Sequence, residues 1–304
     1  MREGWLARPG GDSLAYRVVG RGPDTVVFVH GGPAFGARYM EDAFEGLGDQ
    51  RTLVFYDLRG RGRSPAVTTP DSLRLDVDVT DLEALREALG LAHLTLVGHH
   101  WGTAVVLKYA LRYPGRVTRT ALLAPFPHKG QYMFELIRQP HDTIALAAHL
   151  RAREARTDTT DPGGYCRRFW GMALSPIEVT DPAVIHRLGP AICDAPPAAL
   201  LAREGIQRQL FATFGTWDWS DSIPRLTMPV LVVTGAGSPA LLAGARAWTG
   251  RLPDGRLLAA GVTPLFPWVE DAPGVLTALR EFLAGSWPPP AVPVAAPPDT
   301  ATNP

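Results

Sequence analysis

Lysine is almost absent from this chain. Only Lys108 and Lys129 occur in 304 residues, so the rest of the 30 basic side chains are arginines. With abundant alanine, glycine and proline, this has the look of a GC-rich bacterial coding bias, a setting in which natural-product pathways are common. No excess of either charge exists, because 30 acidic residues balance the 30 basic ones. That balance removes the electrostatic footprint expected for nucleic acid or an anionic membrane, and the expected partner is a small molecule. Cysteine is limited to Cys166 and Cys193. Two are too few for a disulfide framework and lack zinc-site spacing, which points to a reducing compartment while leaving room for one bridge. No apolar run approaches membrane-spanning length, and Met1-Arg2-Glu3-Gly4-Trp5-Leu6 lacks the apolar core of a signal peptide, so a cytoplasmic protein is expected. P-loop, zinc and dinucleotide patterns are also missing, so neither a metal nor a cofactor is expected. Histidine stops early, the last being His186.

What is present is a globular α/β pattern. A hydrophobic fraction of 46% over this length suffices for one large core with an insertion. The segment from Trp5 to Gly20 reads as a pair of strands. Thr25-Val26-Val27-Phe28-Val29 is a β-branched run ending in His30-Gly31-Gly32-Pro33, and Thr52-Leu53-Val54-Phe55-Tyr56 ends in Asp57-Leu58-Arg59-Gly60-Arg61-Gly62-Arg63-Ser64. Leu75, Val79, Leu82, Leu85 and Leu89 form a helical stripe stopped by Gly90. The strand Leu94-Thr95-Leu96-Val97 then runs into Gly98-His99-His100-Trp101-Gly102 and a helix over Thr103 to Tyr113, and a further strand spans Val117 to Ala124. Alternation of this kind implies a mostly parallel sheet with helices on both faces, whose ligands bind beyond the carboxyl ends of the strands.

Between about Lys129 and Ile223 the strand signal gives way to helical, proline-punctuated sequence, and the sheet resumes at Pro229. The expected organisation is a core over 1–128, a helical lid over 129–223, a second core segment over 224–286 with helices at Ala240 to Thr249 and Pro273 to Ala284, and a disordered proline- and alanine-rich tail over 287–304.

The His-Gly-Gly-Pro turn, the Asp-x-Arg-Gly-x-Gly-x-Ser turn and the strand–turn–helix around Gly98 to Gly102 occur in the order and spacing of an α/β-hydrolase. The resemblance is strongest to the proline iminopeptidase and epoxide hydrolase branch. It implies an α/β-hydrolase fold with a mostly parallel sheet and an inserted helical lid. In that family Gly-x-Ser-x-Gly presents a serine at a strained elbow, and here His100 stands at that place. The resemblance puts the triad acid at Ser238, in Gly235-Ala236-Gly237-Ser238, and the triad histidine at Leu265, in Gly261-Val262-Thr263-Pro264-Leu265-Phe266-Pro267-Trp268-Val269-Glu270. All three triad positions are thus read as replaced, and without a hydroxyl, a base and an orienting acid, acyl transfer through serine has no machinery.

Two readings of His100 stay open: a neutral imidazole at a helix N-terminus acting as proton acceptor or donor, or a side chain that fills a disused position. By resemblance the oxyanion donors are the backbone N–H groups of Trp101 and Gly32, which do not depend on side-chain identity. His99 is expected to pack and hydrogen-bond, and His30 to be structural. For substrate contacts the expectation is a set of His128, Tyr132, Trp170, Trp217 and Trp219, giving flat walls around an aromatic or polycyclic small molecule. The function expected is a cofactor-independent, non-hydrolytic enzyme of bacterial natural-product assembly, cyclising an aromatic polyketide-like substrate or forming a carbon–carbon bond. The alternatives are a catalytically silent ligand-binding protein and an atypical hydrolase using His100 with water. The sequence does not fix the oligomeric state.

Overall fold

A computed structural model describes residues 1–295 apart from 33, 138–142, 175–178 and 180. Pro33 and the last nine residues of the expected tail therefore lie outside the described residues. The strands are β1 (Arg2–Ala7), β2 (Ser13–Val19), β3 (Thr25–Val29), β4 (Thr52–Tyr56), β5 (Leu94–His100), β6 (Val117–Pro125), β7 (Val230–Thr234) and β8 (Gly255–Ala259). They form one sheet in the order β1-β2-β4-β3-β5-β6-β7-β8. The first two pairings, β1 with β2 and β2 with β4, are antiparallel, and all others are parallel. The central runs are buried on both faces, as Val26 to Val29 and Val230 to Val233 show, which is why they read as continuous β-branched stretches.

Helices α1 (Arg38–Phe44), α2 (Leu75–Ala88) and α3 (Trp101–Arg112) belong to the first half. In α2 the stripe Leu75, Val79, Leu82 and Leu85 is buried. The helix stops where Gly90, at φ 68°, lets its own N–H reach Glu87 O and the Leu91 N–H reach Arg86 O. Among the described residues six α-helices follow between β6 and β7: α4 (Gly130–Ile137), α5 (Thr143–Glu154), α6 (Thr157–Thr160), α7 (Pro162–Phe169), α8 (Pro182–Ile192) and α9 (Pro197–Phe214). Helices α10 (Pro239–Thr249) and α11 (Ala272–Leu283) flank β8.

Two expectations are corrected here. Cys166 in α7 and Cys193 after α8 are joined by a disulfide, so the small cysteine count no longer argues for a reducing compartment. The chain after 286 is not structureless from its start. Val292 exchanges both backbone hydrogen bonds with Leu257 of β8, Ala291 is buried, and Trp287 packs beneath the Arg256 guanidinium and against Phe282. The physical reason is the outer edge of β8, whose unpaired N–H and C=O groups take up an extended segment. No described helix is long and apolar enough to cross a membrane.

Candidate active site around His100

The turn between β5 and α3 holds His100 at φ 45° and ψ −110°, a conformation that non-glycine residues seldom adopt. Two small residues make the turn possible. A Cβ on Gly102 would meet Val29 O at 2.0 Å, and one on Gly98 would meet Gly102 O at 2.9 Å. The turn is then tied from both sides. Thr103 Oγ1 donates to His100 O (2.6 Å) and accepts from the Phe126 N–H (2.8 Å), linking the elbow to the end of β6.

His99 makes the second tether. Its Nδ1 lies 2.6 Å from Tyr39 Oη, and its Nε2 lies 2.8 Å from Leu265 O. Because the Gly31 N–H already donates to Tyr39 Oη at 2.8 Å, the tyrosine proton goes to His99 Nδ1. The ring must then be neutral with its proton on Nε2, donating to Leu265 O. Burial holds its pKa down to about 3. One imidazole thus ties the end of β5 to α1 and to the loop after β8.

His100 itself is half-buried. Withdrawal from water lowers its pKa to about 4, so the ring is neutral near pH 7. Its Nδ1 is buried with no hydrogen-bond partner, and the ring stands edge-on to Phe126 at 5.1 Å. It faces a recess of about 30 Å³ bounded by Pro125, Pro127, Thr234 and Leu265.

At the two other positions that the resemblance pairs with the elbow, 238 and 265, the side chains are engaged in the frame. Ser238 is buried and caps α10, accepting from the Leu241 N–H at 3.4 Å. Leu265 is buried and apolar, and it offers its backbone carbonyl to His99. Glu270 keeps this loop in shape, one oxygen accepting from the N–H groups of Val262 and Thr263 and the other from Thr263 Oγ1.

The arginine-rich turn after β4 is an internal ion-pair lattice. Asp57 accepts from the Ala37 N–H at 2.6 Å and from Arg63, Arg59 bridges Asp12 and Asp81, and Arg61 pairs with Asp78. Asp78 also accepts from Trp101 Nε1 at 3.1 Å. The Trp101 side chain is therefore fully buried, and only its backbone N–H, at the first residue of α3, is available to the site.

A cavity of about 330 Å³ lies between α5, α7 and α9 and the loop after β3. Of the residues expected to form the site, Gly32, at φ 80°, and Trp170 line it. The other residues expected at the site lie elsewhere. His100, His128, Tyr132, Trp217 and Trp219 are not in its lining. Trp217 stacks on Phe126, Trp219 lies tilted against the same ring, both stand edge-on to Phe214, and Trp217 Nε1 donates to Pro127 O. His128 is buried with both ring nitrogens unpartnered, against Tyr132, and burial lowers its pKa to about 4. These aromatics solidify the junction between β6 and the chain after α9. The cavity is completed by residues that sequence reasoning did not single out as site residues, chiefly Phe35, Tyr165, Phe169 and Arg203. Phe35 was findable, standing just past the His-Gly-Gly-Pro turn. Arg203 carries no local signal in so arginine-rich a chain. Among the described residues no cluster of three or more histidine, cysteine or acidic side chains is arranged to hold a metal ion.

Comparison with known proteins agrees with this geometry. Residues 24–156 match a family model described as alpha/beta hydrolase fold. The chain is 29% identical over 120 residues to epoxide hydrolase 4 of Mus musculus, a match covering 40% of this chain and 33% of that protein. It is 25% identical over 280 residues to a proline iminopeptidase of Lactiplantibacillus plantarum, covering 88% of this chain and 96% of that one. Among solved structures, proline iminopeptidase from Mycobacterium smegmatis superposes with a TM-score of 0.65 at 21% identity, covering 93% of this chain and 98% of the other.

Proposed function

We propose that this chain, which belongs to the α/β-hydrolase superfamily, works without a serine–histidine–acid triad as a non-hydrolytic enzyme on an aromatic or polycyclic small molecule. The observation that carries the reading is the elbow. It keeps the strained geometry that exposes a side chain at the head of α3, yet the side chain there is a neutral imidazole, and no histidine follows His186 to serve as a base for any hydroxyl. Proline iminopeptidase and epoxide hydrolase are the activities named for its relatives, and the residues at 100, 238 and 265 argue that this chain has left them.

The chemistry such a site supports is proton transfer with oxyanion stabilisation. The cavity ends at Gly32, and the preceding Gly31 runs so close to the elbow that a Cβ there would lie 2.9 Å from His100 Cβ. A carbonyl lodged at this junction would meet the backbone N–H groups of Gly32 and Trp101. His100 then removes a proton from the carbon beside that carbonyl, and the resulting enolate attacks an electrophilic carbonyl carbon of the same molecule. One carbon–carbon bond forms, and the proton returns from His100 to the new alkoxide, so the product is an isomer of the substrate and nothing is oxidised. Each well-aimed donor contributes about 3 kcal/mol and proximity about 7 to 11 kcal/mol, enough for a large acceleration without a nucleophile or cofactor. In this reading the helices between β6 and β7 form the lid, and the setting is bacterial natural-product assembly.

A second reading, a binding protein that holds the ligand without chemistry, is favoured by one observation: His100 faces the 30 Å³ recess and not the wall of the larger cavity. The test is direct. Purified protein is incubated with nitrophenyl esters, prolyl-arylamides and a fluorophosphonate probe, and no turnover or covalent labelling is expected. Labelling at the elbow, or ester turnover that survives purification, would sink the non-hydrolytic proposal. With the substrate in hand, His100→Ala should lose about 100- to 10,000-fold in rate while binding persists, and unchanged turnover would remove His100 from the mechanism.

A further inference from the structure

Arg203, on the face of α9 that lines the large cavity, is an unusual arginine for so sheltered a place. Its Nη1 donates to the disulfide sulfur of Cys166 at 2.8 Å and its Nη2 to Ile192 O, and the guanidinium carbon sits 5.5 Å over the Phe35 ring. A disulfide sulfur is a weak acceptor and a carbonyl carries no charge, so neither neutralises the cation. Among the described residues no carboxylate lies within ion-pair distance of it, whereas its cavity neighbour Arg153 is paired with Glu204 at 2.9 Å. The same holds at the inner turn, where Arg59, Arg61 and Arg63 each have a carboxylate. Loss of hydration without a compensating anion draws the Arg203 pKa down to about 10.

We propose that Arg203 is the anion anchor of this cavity and that the ligand is an aromatic acid whose carboxylate pairs with the guanidinium while its rings lie against Phe35, Phe169 and Trp170. The Phe35 ring beneath it and the two existing hydrogen bonds fix the guanidinium plane, leaving its remaining N–H groups to meet a carboxylate. The walls fit the body of such a molecule: Trp170 stands edge-on to Phe35 at 5.9 Å, and the volume of about 330 Å³ suits a ligand of a few rings. Asp158, also in the lining, has one shielded carboxylate oxygen with no partner and suits a hydroxyl or N–H on the same ligand. The assignment rests on reading this cavity as the ligand site of the proposed function.

The test uses the full chain and three probes, a hydroxynaphthoic acid, its primary carboxamide and the parent naphthol, with affinities from titration calorimetry. The acid should bind at least about 10-fold more tightly than the carboxamide. In Arg203→Gln that preference should vanish while carboxamide affinity stays within about 2-fold, and Arg203→Lys should keep part of it. Should Arg203→Gln fail to fold, the acid-against-carboxamide comparison on the parent protein still decides. Saturable binding of both with equal affinity overturns the anchor and leaves the cavity as a ligand site, as does a preference that survives in Arg203→Gln. Saturable binding by none of the three overturns the anchor and the cavity reading together. Ester turnover or fluorophosphonate labelling bears on the non-hydrolytic proposal alone.

Discussion

Three fully buried histidines make this protein acid-labile by an amount that can be worked out. His30, His99 and His128 have pKa values drawn down to about 3, 3 and 4, in each case chiefly by burial. In the unfolded chain each returns to about 6.5, so between pH 7.5 and 5.5 the unfolded state gains protons that the folded state refuses. Stability is therefore lost as pH falls through 6.5, at about 1.4 kcal/mol per histidine over that interval, or about 4 kcal/mol for the three. His100, whose pKa is also lowered, to about 4, adds in the same direction. Asp78, raised by its burial, acts with the opposite sign, since its folded form takes up a proton more readily than the unfolded one. Against a typical total of about 5 to 15 kcal/mol, such a loss should bring unfolding near pH 5. The assay is urea unfolding followed by tryptophan fluorescence at pH 7.5 and 5.5, with His128→Phe beside the parent. Both nitrogens of His128 lack partners, so the substitution removes no side-chain hydrogen bond and should reduce the pH dependence by about 1.4 kcal/mol over that interval. A fall of less than about 1 kcal/mol in the parent would refute the reasoning, because these rings would then be taking protons in the folded state.

Other substitutions probe the framework. Ser238→Ala should cost about 1 kcal/mol through loss of the α10 cap, whereas Ser238→Asp, which also caps, should leave stability within about 0.5 kcal/mol and confer no esterase activity; both are read from thermal melts and ester assays. Arg61→Met strands the Asp78 carboxylate beneath Trp101 and should destabilise by about 3 to 5 kcal/mol in denaturant melts, while a cost below about 1 kcal/mol would mean the pair contributes little. Cys193→Ser opens the bridge across a sequence separation of 27 and should cost about 3.5 kcal/mol; equal melting of parent and variant under non-reducing conditions would show that the bond is not formed.

The parts of this molecule legible in its sequence are those with a short-range physical cause. Strands β3, β4, β5 and β7 are readable because a strand buried on both faces must be apolar throughout, and α2 because Leu75, Val79, Leu82 and Leu85 share one face ahead of Gly90. The elbow is readable because Gly98 and Gly102 occupy places where a Cβ would strike backbone. What escaped depends on how distant elements cross. Trp170 and Trp217 look alike in sequence, yet one lines the cavity and the other stacks on Phe126, since α7 and the chain after α9 approach the sheet at different points. The bridge between Cys166 and Cys193 and the placement of Arg203 beside it have the same origin: both follow from α7, α8 and α9 packing together.

The elbow also explains how the residue at 100 can change while its geometry stays. Holding His100 and Ala124 at positive φ costs about 1 to 3 kcal/mol each. The groups that sustain this strain are Gly98 and Gly102 by their size, Thr103 by bridging His100 O and the Phe126 N–H, and His99 by joining Tyr39 to Leu265 O. None uses the side chain of residue 100. The Ser238 cap needs only a short polar side chain, and His99 needs only the carbonyl of Leu265. Positions 100, 238 and 265 are thus released from holding the fold by any one side chain, while the turn that aims the first of them is fixed by its neighbours. A scaffold built in this manner can exchange the chemistry at those positions without altering its frame.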